Sequence, residues 1–318
     1  MTGDHVRQFR GAILTALGAA PEIIEPGRIH RFGTSARVSD KSGWCQLFED
    51  GRAGVFGDFR SGTSSVWTAH RRELMTPAER AVMARRVAQA KTQRELQIRE
   101  RRADNAQRNA ALWAKTVPVT DSDPVSLYLR RRGLAGPVPE HLRLHPRLTY
   151  WDDGDRGNYP AMIAPLIRPD GVVQALHRTY LTADGSKAPV PTVKKLTGAA
   201  GPLAGACIPL HDPRDGVIGI AEGIETAQAA HFASGLPTVA AYCAGNLATY
   251  IWPPGVRRIV VFADADPAGA AAAQSLKVRA MRAGLSVAVM TPTTPGADWC
   301  DVWAQRAVVT VAASGATA

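Results

Sequence analysis

Cysteine is scarce and never paired. The four in the chain, Cys45, Cys207, Cys243 and Cys300, stand far apart with no C-x-x-C among them. Such spacing writes neither a zinc ribbon nor a disulfide framework, so no structural zinc is expected, and four free thiols fit a reducing compartment. Also missing is any apolar run long enough to span a bilayer, so no membrane partner is expected. The start, MTGDHVRQFRGAILTALGAA, holds one brief apolar stretch followed by acidic and proline residues, and it reads as an amphipathic first helix in preference to a secretory leader. A cytoplasmic protein is expected. No G-x-x-x-x-G-K-[ST] occurs, which argues against a P-loop helicase, and no repeat at solenoid period appears.

Acidic residues are outnumbered. With 38 Lys and Arg against 28 Asp and Glu, the formal charge is +10. That balance suits a polyanion, because phosphates reward Lys and Arg by counterion release. A basic proteome would give the same balance, so charge alone names no partner.

Four textures follow one another along the chain. Residues 22 to 68 alternate short apolar or aromatic pieces with Gly, Asp and Ser turns, the pattern of a small antiparallel β module. Its core would be Phe32, Trp44, Leu47, Phe48, Val55, Phe56, Phe59 and Trp67. Residues 76 to 116 then lose Gly and Pro after their start and predict one long basic helix, opened by Thr76 as N-cap, Pro77 at the first helical position and Glu79 at the capping-box position. Its thin apolar stripe, Val82, Met83, Val87, Leu96 and Ile98, fits a solvated connector better than a dedicated nucleic-acid arm.

Residues 124 to 210 are mixed. PVSLYLRRRGL predicts a short helix ended by Gly133, and PAMIAPLIRPDGVVQALHRTYL two strands joined at Pro169, Asp170 and Gly171. LTADGSKAPVPTVKKLTG reads as a polar loop holding Lys187, Lys194 and Lys195. His141 and His145 are spaced for one helix face, but Pro146 and the lack of a carboxylate partner argue against a zinc site. Arg130, Arg131 and Arg132 fit either a basic groove or the end of a helix. The last region alternates strand and helix, β-α-β-α-β-α-β, which marks a parallel sheet covered by helices, and DWCDVWAQRAVVTVAA adds a closing helix.

Carboxylates recur at the strand ends of that unit. GVIGIAEG ends in Glu222, RRIVVFADAD in Asp264 and Asp266, and PGADWCDVW adds Asp298 and Asp301. Open α/β sheets keep their ligands at this edge, and hard oxygen ligands gathered there suit Mg²⁺ or Mn²⁺. Taken singly, each acid has a plainer role: Asp266 before Pro267 as an N-cap, Glu222 or Glu225 at the positive end of a helix. Taken together, they favour metal.

EGIETA at 222 to 227, FADADPAG at 262 to 269 and PGADWCDVW at 295 to 303 resemble the three acidic elements of the Toprim domain, shared by bacterial primases, type IA and II topoisomerases and RecR-type proteins. The likeness covers residues 214 to 305. It implies that Glu222 is a general acid or base, that Asp264 and Asp266 hold a divalent ion, and that Asp298 and Asp301 support a second metal position, with Glu222 among the metal-facing acids. Bacterial primases carry a further acid four residues after the glutamate; here that position is Thr226, with Glu225 one residue earlier. Upstream, SLYLRRRGLAGPVPEHLRLHP and the segments around APLIRPDGVVQALHRTYL and VKKLTG resemble the entry and basic groove of primase catalytic cores.

By that resemblance Arg178, Lys187, Lys194 and Lys195 would contact template or triphosphate. A solvated loop explains each lysine equally well, and His177 and Tyr180 are as suited to packing as to base stacking. The N-terminal module has the rhythm of a primase zinc domain without its ligands, since His30 and Cys45 alone cannot build a four-ligand site.

The expected fold is α/β: a small N-terminal β module (1–70), a long basic helix (71–116), a mixed α+β primase-core subdomain (117–212) and a Toprim domain with a parallel sheet flanked by helices (213–318). The implied function is a DNA primase-like nucleotidyltransferase of phage or mobile-element type, working with Mg²⁺ or Mn²⁺ on single-stranded DNA and nucleoside triphosphates, beside a separate replicative helicase. A Toprim nuclease and an inactive DNA-binding accessory protein are the rival readings.

Overall fold

The computed structural model describes residues 2–35, 40–58, 63–69, 76–152 and 154–314. They fall into two compact units, split after Ile98.

In the first unit, helix α1 (Thr2–Leu17) precedes four strands, β1 (Ile29–Phe32), β2 (Gly43–Leu47), β3 (Ala53–Asp58) and β4 (Thr63–Thr68). The strands pair antiparallel in chain order. Phe9 and Ile13, four apart on one face of α1, are fully buried against Phe32, Cys45, Leu47 and Phe56. Gly54 allows that approach, since a Cβ there would stand 2.7 Å from the Phe9 ring. Of the expected core, Phe32, Trp44, Leu47, Phe48 and Phe56 are buried, and Val55 and Trp67 are partly buried. Phe59 lies outside the described residues.

The β1–β2 register sets His30 opposite Cys45. The His30 ring nitrogen Nε2 instead accepts the Glu25 amide N–H at 2.9 Å, and burial pushes the Cys45 thiol up to about 12. Helix α2 (Pro77–Trp113) runs 37 residues across the split. Its first bond joins the Arg80 N–H to the Thr76 carbonyl; the Glu79 side chain lies outside the described residues. Val82 and Leu96 are half exposed, as a solvated helix requires. Trp44, on the sheet face opposite Cys45, has the Arg94 guanidinium 4.0 Å above its ring.

The second unit holds two sheets. The first joins β5 (Val117–Pro118), β6 (Arg143–Asp152), β7 (Asp155–Ile167), β8 (Val173–Tyr180) and β9 (Lys194–Leu196) in that order, all antiparallel. Helix α3 (Pro124–Arg131) starts on an N-cap, Asp123, whose carboxylate accepts the Val125 and Ser126 amides, and it stops at Gly133, at φ +74°. His141 and His145 do not share a helix face: His145 lies in β6 and His141 in the turn before it. Buried Leu142 and Leu144 alternate with Arg143 and His145, the period of a strand. The irregular register between His145 and Leu148 accommodates Pro146, which has no N–H for a ladder.

The second sheet is built from β10 (Ile208–Pro209), β11 (Val217–Ala221), β12 (Thr238–Ala240), β13 (Arg258–Phe262) and β14 (Ser286–Met290), in the order β10-β12-β11-β13-β14. All but β10 are parallel. Helices α4 (Ile224–Ser234), α5 (Ala244–Thr249), α6 (Pro267–Arg282) and α7 (Trp299–Ser314) fill its connections. Ile218, Ile220, Ile259 and Val261 pack on α5 and α6, while Ala221, Val260 and Phe262 pack on α4 and α7. Burial on both faces explains why these strands read as continuous apolar runs. The second of those cores also takes in Leu144, Met162, Ala164 and Leu166 of the antiparallel sheet, so one apolar layer fixes the two sheets of this unit together. Among the described residues no helix is long and apolar enough to cross a membrane.

Candidate active site

The acids collect where the parallel strands end. Ala221 pairs with Phe262 and Phe262 with Met290, so Glu222, Asp264 and the segment after β14 leave the sheet at one edge. That segment is tied down by backbone: the Ala265 N–H donates to Ala297 O (3.0 Å) and the Gly296 N–H to Ala265 O (2.8 Å). Trp299 adds a side-chain tie, its Nε1–H donating to Met290 O at 3.2 Å.

Asp264 is partly buried, and its Oδ1 has no hydrogen-bond partner. Burial raises its pKa to about 7, helped by the charges of Glu222, Asp298, Asp266 and Asp301. All five carboxylates therefore share one electrostatic neighbourhood. Glu222 is also raised, by burial and then by Asp266, while the Ala244 N–H at the start of α5 favours its ionised form. Tyr242, just before that helix, holds a left-handed φ of +65°, a costly conformation for a bulky residue.

Asp266 serves two purposes. Its Oδ1 accepts the Gly269 N–H at 2.6 Å as N-cap of α6, and its exposed carboxylate still faces the cluster. Asp298 and Asp301 bond reciprocally, each side chain accepting the other's amide N–H at 2.9 and 3.2 Å, which opens α7.

Among the described residues no three His, Cys, Asp or Glu side chains converge closely enough to enclose an ion by themselves. The donor set is nonetheless all carboxylate, and it contains a buried oxygen without a partner. That fits Mg²⁺ or Mn²⁺, which take one or two carboxylates and complete their shell with water and phosphate.

The four basic residues do not act as one group. Neighbours in β9 point to opposite faces. Lys194 turns to Glu225, with Nζ 2.9 Å from its carboxylate. Lys195 turns the other way, to Asp152 (3.2 Å) and Trp151 O (2.8 Å), over the Tyr150 ring. Arg178, paired with Lys195 in register, donates to Leu196 O (2.6 Å) and Tyr180 Oη (3.2 Å). Lys187 is exposed in the turn after β8.

Each arginine of the 130–132 triplet has a partner: Arg130 with Asp121, Arg131 with Asp184, and Arg132 with Cys300 Sγ at 3.4 Å. Glu225 is buried and accepts from Tyr128 Oη as well as Lys194. Burial works against its ionisation, yet Lys194 and Tyr128 hold its carboxyl down to about 2. His177 lies on the same face; burial and the Lys194 charge push it down to about 4. Sequence reasoning singled out neither Tyr128 nor the Tyr242–Ala244 turn; a tyrosine inside an apolar helix pattern looks like core, and a strained turn leaves no periodic signal.

Residues 217–308 match the family model described as Toprim domain. This part of the chain is a Toprim domain. Residues 100–207 match a second model, described as a domain of unknown function (DUF7146). DNA primase TraC of Escherichia coli is 30% identical over 245 residues, which cover 74% of this chain and 20% of that protein. The chain thus spans about a fifth of the length of the curated relative it matches. Among solved structures, a DnaG primase catalytic domain bound to ssDNA is 14% identical with a TM-score of 0.43, covering 66% of this chain and 78% of that one. A DNA primase domain from Pseudomonas aeruginosa is 16% identical with a TM-score of 0.34, covering 52% and 56%. The architecture is the α/β one that the strand and helix pattern predicts, with the Toprim match lying on the parallel-sheet part of the chain.

Proposed function

We propose that the chain is a DNA primase-type nucleotidyltransferase that makes short RNA on single-stranded DNA, as in phages and mobile elements. The observation behind this is that Glu222, Asp264, Asp266, Asp298 and Asp301 share one electrostatic neighbourhood at one edge of a Toprim sheet, with a buried, unpartnered oxygen on Asp264.

Asp264 and Asp266 would hold the first divalent ion, with Glu222, Asp298 and Asp301 around a second. Bound there, Mg²⁺ or Mn²⁺ supplies neutralisation of phosphate charge and stabilises attacking and leaving oxygens. Glu222, at the end of β11 beside the other acids, takes the proton from the attacking 3′-hydroxyl. The new O–P bond forms at the α-phosphate as the bond to pyrophosphate breaks. Lys194 is assigned to the triphosphate, and Lys187, together with Arg178 and Lys195 on the other face of the sheet from Lys194, to the template strand. Unwinding falls to a separate helicase.

The test is template-directed synthesis with single-stranded DNA, labelled nucleoside triphosphates and Mg²⁺ or Mn²⁺. Short labelled products are expected, falling at least about 100-fold in Asp264→Asn, more than is lost with an outer-shell partner of a metal. Metal-dependent shortening of the DNA without any product would replace this reading with a nuclease.

A further inference from the structure

Glu225 stands in the first turn of α4, three residues past Glu222 and next to the position where the family places another acid. Its surroundings are not those of a metal ligand. The residue is 4% exposed, Tyr128 Oη from α3 donates to Oε1, and Lys194 Nζ from β9 lies 2.9 Å from both oxygens. A carboxylate with these donors has little left for an ion.

The ammonium is the more accessible member of the pair. The Lys194 side chain is 41% exposed and that of Glu225 5%. The carboxylate also folds back beneath the turn that joins Glu222 to α4, since a Cβ at Gly223 would stand 3.6 Å from Glu225 Oε2. The Lys194 ammonium, 2.9 Å from Glu225, lies against the first turn of α4, the helix that begins two residues past Glu222 at the acidic edge. A free lysine on four carbons would have to be ordered by its ligand; this one is ordered beforehand by three elements.

We propose that Glu225 and Tyr128 are positioning residues that fix the Lys194 ammonium for the β- and γ-phosphates of a nucleoside triphosphate. This rests on the nucleotidyltransferase reading above. It accounts for Thr226 at the family's acidic position: the nearby glutamate holds a cation of the protein instead of a metal ion.

The test is nucleotide binding by the full chain, measured by calorimetry with ATP and with AMP in saturating Mg²⁺, together with the Mg²⁺ concentration that half-saturates ATP binding. Glu225→Gln and Lys194→Met should each weaken ATP binding about tenfold, the scale of one charge-assisted hydrogen bond, and leave AMP binding unchanged. Lys194→Met strands a buried carboxylate, so the double variant, which carries no such charge, serves as the folding control. It should bind ATP no more weakly than Lys194→Met alone, because the two residues act as one unit. The Mg²⁺ half-saturation point should not move in Glu225→Gln.

Unchanged ATP affinity in Glu225→Gln would overturn the proposal. So would a raised Mg²⁺ requirement in Glu225→Gln but not in Lys194→Met, the mark of a metal ligand. A wild-type chain that binds ATP no better than AMP would overturn both this proposal and the reading it rests on.

Discussion

Asp264 is a carboxyl that the fold makes costly to ionise. Its pKa rises from the ordinary 3.8 to about 7 because it is partly buried among four other acids. The sign follows: the stability tied to its neutral form is fully present below about pH 4 and is lost as pH rises through 7. Asp264→Asn cannot ionise and keeps that stability. In calorimetry without divalent ions the variant should therefore melt above the wild type at pH 8, with the gap narrowing steadily from pH 7 to pH 4. Mg²⁺ at pH 8 should raise the wild-type melting temperature and leave the variant's unchanged. No gap at pH 8 would mean that the acids are too solvated to repel one another.

At the scale of elements, the site depends on how closely α6 approaches the end of β13. A Cβ on Gly269 would lie 2.7 Å from Asp264 O and 3.2 Å from its N, and neither backbone atom can rotate away. Gly269→Ala should cost about 1–3 kcal/mol, the usual range for overpacking, seen as a lower melting temperature together with reduced synthesis. Gly245→Ala in α5 meets nothing within 4 Å and should leave both unchanged. If Gly269→Ala behaves like Gly245→Ala, Asp264 is not positioned by this contact.

Much of this was legible in the sequence, because alternating apolar strands and amphipathic helices announce a parallel sheet, and acids just past the strands must meet at one edge. The face of each lysine was not legible. Lys194 and Lys195 read as a loop, and only once β9 pairs with β8 does the twofold period send them to opposite sides. Glu225 was hidden for a different reason: its partners lie 97 and 31 residues away, and no local pattern encodes contacts at that separation. His141 and His145 misled because an i, i+4 spacing also fits a strand preceded by a turn.

At the scale of the whole molecule, the charge of +10 coexists with an acidic site. On the proposed function, nucleic acid is held by basic residues outside the acid cluster. Binding of single-stranded DNA, followed by fluorescence anisotropy, should weaken linearly in log–log form with added salt, and Lys187→Ala should reduce the slope by about 0.7, the value for one contact to single-stranded phosphate. A slope that does not respond would remove Lys187 from the interface.

The most direct measurement is release of pyrophosphate from nucleoside triphosphates in Mg²⁺ or Mn²⁺, with and without single-stranded DNA, by the full chain and by Asp264→Asn. Pyrophosphate leaves when a nucleophile attacks the α-phosphate, which neither a nuclease nor a binding protein brings about, and dependence on single-stranded DNA separates transfer to a hydroxyl from simple hydrolysis by water. Template-dependent release by the wild type that disappears in the variant is the predicted result. Absence of release from the wild type, or equal release from both proteins, would contradict the assignment of the acidic edge to nucleotidyl transfer.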